Sequence, residues 1–356
     1  MKLSIEEKIG QRFIFGVNND NIDSIVNLIK NNYIGGVILY KKNYNSYNEM
    51  LAVIKIVKEA NKNNKIPLFI SIDQENGRVN RLPKEIRIIK NNYDVSKQGI
   101  NFVRKSANIT ARILKNIGVN MNFAPVLDIN NNSNSKALYK RCFSGSLDMI
   151  EKCGRVYINE FKDNGVISVV KHYPGHGASV FDSHIMTPYI FNYRKVLDMH
   201  MRPFDKIIND ECDALMIGHL VIRRLTGWLP ASISNGFMKK YLRDKVKFNG
   251  LIITDEINML RRTIFYSLCY LKRALCSCSD IVLIKIKNEN EGLTIINKYK
   301  KLIVKNDKYK KNLDDSVTRI LDLKERYCLN DNVDIKLDID SINKEIDELN
   351  DEISSN

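Results

Sequence analysis

The side chains best suited to chemistry fall in one stretch. Lys171-His172-Tyr173-Pro174-Gly175-His176-Gly177, running on to Asp182-Ser183-His184, holds three of the chain's five histidines. A carboxylate two residues from an imidazole can hydrogen-bond one ring nitrogen, fix the tautomer and leave the other nitrogen to carry a proton. Asp182 and His184 have that spacing. A lone histidine in a polar loop usually does no more than satisfy backbone groups, but three in one glycine-punctuated loop point to function. Other polar residues stand at abrupt breaks after apolar runs. Leu68–Ile72 gives way to Asp73-Gln74-Glu75-Asn76-Gly77-Arg78-Val79-Asn80-Arg81, and Asp128, Arg141, His219, Asp255 and Glu256 occupy comparable places. Any one could cap a helix or form a structural ion pair, Asp128 and Glu256 most readily. A full ring of them is harder to dismiss, because buried charge needs compensation or a ligand.

The elements that would position these residues are legible from periodicity. Short apolar runs recur as strands over Arg12–Val17, Gly36–Tyr40, Leu68–Asp73, Asn120–Asp128, Val166–His172, Ala214–Leu220, Leu251–Asp255 and Ile281–Ile286. Between them lie segments of 3.6-residue period, such as Ile22, Ile25, Val26, Ile29 and Val103, Ala107, Ala111, Leu114. Ser4 and Glu7 have capping-box spacing before the first of these helices. Parallel neighbours need a crossover each time, so eight such units predict an α/β fold of the (β/α)8 barrel class, a TIM barrel. A doubly wound sheet would place a Gly-x-Gly-x-x-Gly turn after the first strand, and Gly16-Val17-Asn18-Asn19 is not one. In a barrel the polar breaks all fall at strand carboxyl ends and converge on one pocket. One domain is expected over residues 1–329, followed by an acidic amphipathic tail over 330–356. There Ser341 is expected as N-cap, and Ile342, Ile346, Leu349 and Ile353 form a stripe to lie on the barrel.

Composition narrows the class. Of the 356 residues 44% are hydrophobic, enough for a large core. The net charge of +15 comes largely from lysines scattered among asparagine and isoleucine, so no nucleic-acid partner is expected, although the field would favour an anionic small substrate. Seven cysteines lack disulfide-framework or zinc spacing, which implies reduced thiols and no metal or cofactor. No apolar signal region or 18-residue apolar run occurs, so a cytoplasmic, non-membrane protein, acting as a monomer, is expected.

The motifs also resemble a known family. The Lys171–Gly177 run followed by Asp182-Ser183-His184 resembles the Lys-His-Phe-Pro-Gly-His-Gly … Asp-Ser-His signature of family-3 glycoside hydrolases of the bacterial β-N-acetylglucosaminidase (β-hexosaminidase) type, with Tyr173 in place of Phe. Asp73 to Arg81 resembles that family's Asp-Gln-Glu-Gly-Gly-Arg-Val-x-Arg element. Asn122-Phe123-Ala124-Pro125-Val126-Leu127-Asp128 resembles its fourth-strand motif, Arg141-Cys142-Phe143 its Arg-Ser-Phe, and Pro230-Ala231-Ser232 its Pro-Ala-Ser. Thr254-Asp255-Glu256-Ile257-Asn258-Met259 resembles its Ser/Thr-Asp-x-Leu-x-Met. The likeness runs in order from about Leu3 to Leu329.

The resemblance implies a retaining exo-β-N-acetylglucosaminidase that trims N-acetylglucosamine from muropeptides in cell-wall recycling. Asp255 would form a covalent glycosyl-enzyme, and His184, oriented by Asp182, would serve as acid and then base. Asp73, Arg81, Arg141, Lys171 and His172 would hold the sugar, with Met259 packing beside it. The acid lies on a loop and is expected to swing in when substrate binds. Three departures stand out: Asn76 for a glycine, the irregular Ser144-Gly145-Ser146, and Cys276-Ser277-Cys278-Ser279-Asp280 where the family tends toward an Ala-Gly-rich turn. Two other readings are open. One is a phosphorylase on the same scaffold, since a neutral imidazole does not repel phosphate; the other is a barrel that binds sugar or an anionic polymer without turning it over.

Overall fold

The computed structural model describes residues 2–17, 22–130, 138–178, 188–190, 193–208, 210–262, 268–332 and 336–355. Asp182 and His184 therefore lie outside the described residues.

In chain order the strands are β1 (Phe13–Val17), β2 (Gly36–Leu39), β3 (Phe69–Ile72), β4 (Met121–Asn122), β5 (Ile167–Tyr173), β6 (Tyr189–Ile190), β7 (Ala214–Ile217), β8 (Val221–Ile222), β9 (Leu251–Thr254) and β10 (Val282–Ile286). All but β6 and β8 form one parallel sheet in the order β10-β1-β2-β3-β4-β5-β7-β9. An Ile253–Ile281 bridge joins β9 to β10, with Thr254 N donating to Ile281 O at 3.1 Å, so the sheet closes on itself. This is the expected (β/α)8 barrel. Alternate side chains of the strands fill its interior, among them Ile14, Ile38, Phe69, Val169, Ile253 and Leu283, while their neighbours pack outward against the helices.

Strand limits differ from expectation where backbone donors run out. The fourth strand is only two residues long: Pro125 has no N–H, and the chain rejoins β5 through Lys171 N to Pro125 O (3.1 Å) and Leu127 N to Lys171 O (2.9 Å). The sixth barrel strand stops at Ile217. The residues beyond it, Val221–Ile222, instead pair with Tyr189–Ile190 in a small parallel ribbon that the periodicity did not reveal.

The helix Asp307–Arg326 closes the amino end of the barrel, where the fully buried Lys324 donates to Gln11 Oε1 (2.8 Å), Gly35 O (3.0 Å) and Pro67 O (2.6 Å). At the other terminus the capping box forms as expected, Glu7 N to Ser4 Oγ 3.1 Å and Ser4 N to Glu7 Oε2 2.7 Å. The last helix spans Ile339–Ser355 and buries Ile342, Ile346, Leu349 and Ile353, packing on the helix Ile100–Asn116. Ser341 is not its cap: the helix starts two residues earlier, and Asp338 Oδ1 accepts from Ser341 N at 3.1 Å. Asn343 and Asn350, two turns apart, bond the backbone of Glu85, Arg87, Ile88 and Lys90. The tail thus braces the chain just beyond Asp73–Arg81. No helix among the described residues is long and apolar enough to cross a membrane.

Candidate active site

A cavity of about 500 Å3 opens at the carboxyl ends of the strands, lined by Asp73, Arg81, Arg141, Lys171, His172, Asp255 and Met259 among others. Seven of the nine residues singled out from sequence thus share one cavity; the other two, Asp182 and His184, are outside the described residues.

The wall above β3–β5 is built on ion pairs. Glu75 is 1% exposed and accepts from Arg141 Nε (2.7 Å) and Nη2 (2.8 Å), while Lys171 Nζ lies 2.5 Å from Glu75 Oε1 and 2.7 Å from Asp73 Oδ1. Burial by itself would push the Glu75 carboxyl up, but Arg141 and Lys171 outweigh it and hold the group well below the usual carboxylate range. The loop that carries Glu75 follows from local sequence. Asn76 takes a left-handed turn (φ 71°), which asparagine tolerates, and anchors its side chain to Thr110 Oγ1 at 3.0 Å. Gly77 follows at φ 57°, and a Cβ there would meet Asn91 Cβ at 2.5 Å, so glycine is required. Gln74 ties the loop ends together through Asn80 Oδ1 (2.8 Å) and Arg81 N (2.8 Å). The Ser144–Ser146 irregularity also resolves: Gly145 turns at φ 105°, and Ser146 caps the helix Leu147–Asp163.

Asp128 organises the next wall. It is fully buried; Oδ2 lies 2.6 Å from His172 Nδ1 and accepts from His172 N (3.2 Å), and Oδ1 accepts from His176 N at 2.5 Å. Burial opposes ionisation, yet His172 and His176 keep its pKa below the ordinary value. The bond to Nδ1 leaves His172 Nε2 for a ligand. Asp128 therefore has the structural role to which the sequence most readily assigned it, exercised inside the site. Tyr173, the departure from the family signature, is buried between Phe204 and Phe237, and its hydroxyl donates to Asp205 Oδ1 at 3.2 Å. A phenylalanine could not make that bond.

Asp255 follows β9 directly, its backbone N bonded to Ile217 O at 3.0 Å. Its Oδ1 accepts from Glu256 N at 2.7 Å. Burial raises its pKa, but the nearby His219, His172 and Lys171 and the Glu256 N–H reverse the sign, so it sits below the usual value and is ionised near neutrality. His219 is placed by Ser232 Oγ (2.5 Å from Nδ1) and Glu256 O (2.9 Å from Nε2). Glu256 also lines the cavity, and burial together with Asp255 raises its pKa.

Sequence reasoning assigned no role to Glu75, Tyr40 or His176, which also line the cavity. Glu75 carried a signal, two residues after Asp73 in the same polar break. Tyr40 follows the β2 run and lies over Gly16, where a Cβ would come within 2.5 Å of its ring. Among the described residues no cluster of three or more His, Cys, Asp or Glu could hold a metal ion.

Comparison with known proteins agrees with this arrangement. The model of the glycosyl hydrolase family 3 N-terminal domain matches residues 4–323. The chain belongs to glycoside hydrolase family 3. A β-hexosaminidase of Photobacterium profundum is 31% identical over 271 residues, covering 74% of this chain and 78% of that protein. The chain spans 31% of the length of a Pseudoalteromonas piscicida β-hexosaminidase A and 47% of a Hydrogenovibrio crunogenus β-hexosaminidase that it also matches. Among solved structures, a family 3 β-N-acetylglucosaminidase from Paenibacillus superposes with a TM-score of 0.87 at 26% identity, covering 98% of this chain and 68% of that one. A Beutenbergia cavernae β-N-acetylhexosaminidase, at 21% identity and TM-score 0.83, shares the fold, with 91% of this chain and 99% of that one covered.

Proposed function

We propose that this family 3 member is a retaining β-N-acetylhexosaminidase that releases terminal N-acetylglucosamine. The observation that carries the reading is the ionised Asp255 carboxylate facing the same cavity as the Asp73–Lys171–Glu75–Arg141 wall and His172. The β-hexosaminidases among its relatives support the substrate class.

The Glu256 N–H holds Asp255 Oδ1, so Oδ2 is the oxygen that attacks the anomeric carbon. As the Oδ2–C1 bond forms, the bond from C1 to the leaving oxygen breaks, and His184, oriented by Asp182, gives that oxygen its proton. Water then attacks C1, His184 takes the water's proton, and Asp255 departs as carboxylate. An imidazole suits both steps because it titrates near neutrality without help from burial. Lys171 and Arg141, locked by Glu75, and Asp73, held by Lys171, present fixed charges to sugar hydroxyls, so little reorganisation accompanies binding. Arg81, His172 and Met259 complete the pocket for the sugar and its acetamido group. In this reading the enzyme acts as a cytoplasmic monomer on muropeptide fragments.

The experiment is covalent trapping. Incubation with a slow 2-fluoro glycosyl substrate should add one sugar mass to the peptide carrying Asp255, and p-nitrophenyl N-acetyl-β-glucosaminide should be hydrolysed with or without phosphate. Label on another residue, or folded enzyme with no turnover, would refute the assignment.

A further inference from the structure

We infer that His176 is a further substrate-contacting residue, donating a hydrogen bond from Nε2 to an oxygen of the bound sugar. The inference rests on the glycosidase reading above and adds a recognition group to the same site.

His176 lines the cavity yet is only 4% exposed, with its ring centroid 5.9 Å from that of His172. Its position is closely fixed. The backbone N–H is held by Asp128 Oδ1 at 2.5 Å. The flanking turn packs so tightly that a Cβ on Gly175 would lie 2.7 Å from His200 Cβ, and one on Gly177 would lie 1.8 Å from Ile129 O. Nδ1 is closed off and has no hydrogen-bond partner among the described residues. A buried N–H without an acceptor costs more than a buried lone pair, so the proton belongs on Nε2, and we take that nitrogen as the one a ligand in the cavity would meet. Protonating the ring would create an orphaned N–H at Nδ1. Burial acts in the same direction, with His172 and Arg141 adding to it and Asp128 and Asp255 opposing it; the balance brings the pKa down to about 4. His176 is then a neutral donor in a closely held ring, with no acceptor among the described residues: the arrangement expected of a group whose partner arrives with the substrate.

Histidine-ring nitrogen NMR on the intact protein tests this directly. His176 should show the neutral Nε2–H tautomer from pH 5 to 8, and its Nε2 resonance should move on saturation with N-acetylglucosamine. The Nδ1–H tautomer, a charged ring at pH 6, or no shift with bound sugar would overturn the inference. Substitution supplies a second readout. Glutamine can place an amide N–H where Nε2 stands and asparagine cannot, so His176→Gln should keep kcat/KM within about threefold of wild type, while His176→Asn and His176→Ala lose about ten- to thirtyfold. Equal losses in all three would mean a packing role only, and unchanged kinetics in all three would mean no contact. Wild-type turnover is read first. If it is absent while the ring shift with sugar persists, the glycosidase reading fails and the contact stands.

Discussion

At the amino end of the barrel, Asp280 is fully buried and receives Arg243, Arg319 (2.8 Å to Oδ1) and the Ile252 N–H (2.7 Å to Oδ2). Arg12, also fully buried, donates Nε to Asp280 O at 2.7 Å and Nη2 to Ser279 O at 2.7 Å, and Nη1 to the Tyr299 hydroxyl. At the carboxyl end, Asp255, Glu256, Arg81 and His176 face a cavity, and among the described residues no carboxylate lies within ion-pair reach of Arg81 and no hydrogen-bond partner meets His176 Nδ1. The same residue types occupy both ends. What separates a structural cluster from a functional one is whether the protein itself completes the hydrogen bonding. Asp73–Lys171–Glu75–Arg141 stands between: its buried part is complete and its outer edge, Asp73, stays half open.

Paired variants break the comparison most sharply. Asp255→Ala should cut turnover by about 10^4-fold or more with the thermal midpoint unchanged or slightly raised, because a carboxylate held among open charges adds little to stability. Asp280→Ala should do the reverse. Leaving Arg243 and Arg319 without their buried anion should cost about 3–5 kcal/mol in denaturant unfolding, with kcat of the folded fraction within about twofold of wild type. If both variants lost activity and stability alike, the division of roles between the ends would be wrong.

Glu75→Gln should show both behaviours. It leaves Lys171 and Arg141 facing an uncharged amide, so a stability loss of about 2–3 kcal/mol should accompany a raised KM for the p-nitrophenyl substrate. A change in KM without loss of stability would move Glu75 to the functional side.

The last effect, which leaves turnover at neutral pH almost untouched, is read in acid. Because the folded pKa of His176, about 4, lies below the ordinary imidazole value, the unfolded chain binds the extra proton first. The stability held by the neutral ring is complete above about pH 6.5 and is lost as the pH falls toward 4, by up to about 3 kcal/mol. His176→Gln should flatten that part of the stability profile between pH 7 and 4.5, while the contribution of Glu75 remains. An unaltered profile would show that the ring is not held neutral.

Much of this architecture was legible beforehand. Barrel strands ended within a few residues of expectation, except where Pro125 withdrew a donor and where Val221–Ile222 left the barrel for a ribbon of its own. Periodicity reports which faces are apolar, and it cannot report which partner a two-residue strand will choose. The site was legible as a set of polar breaks, and seven of its members do meet. Glu75, His176 and Tyr40 went unassigned because their roles depend on who faces whom across the barrel.

Residue types and spacing alone determined that charges would gather at strand ends and that eight β/α units would bring those ends together, since side-chain period and crossover geometry are local rules. Only the folded chain decided which charges neutralise one another. Glu75 meets Lys171 ninety-six positions away, and the Asp280 carboxylate meets Arg243 and Arg319, 37 and 39 positions to either side. Ion pairing depends on distances of a few ångströms, and closure of the sheet sets those distances for residues that the sequence keeps far apart.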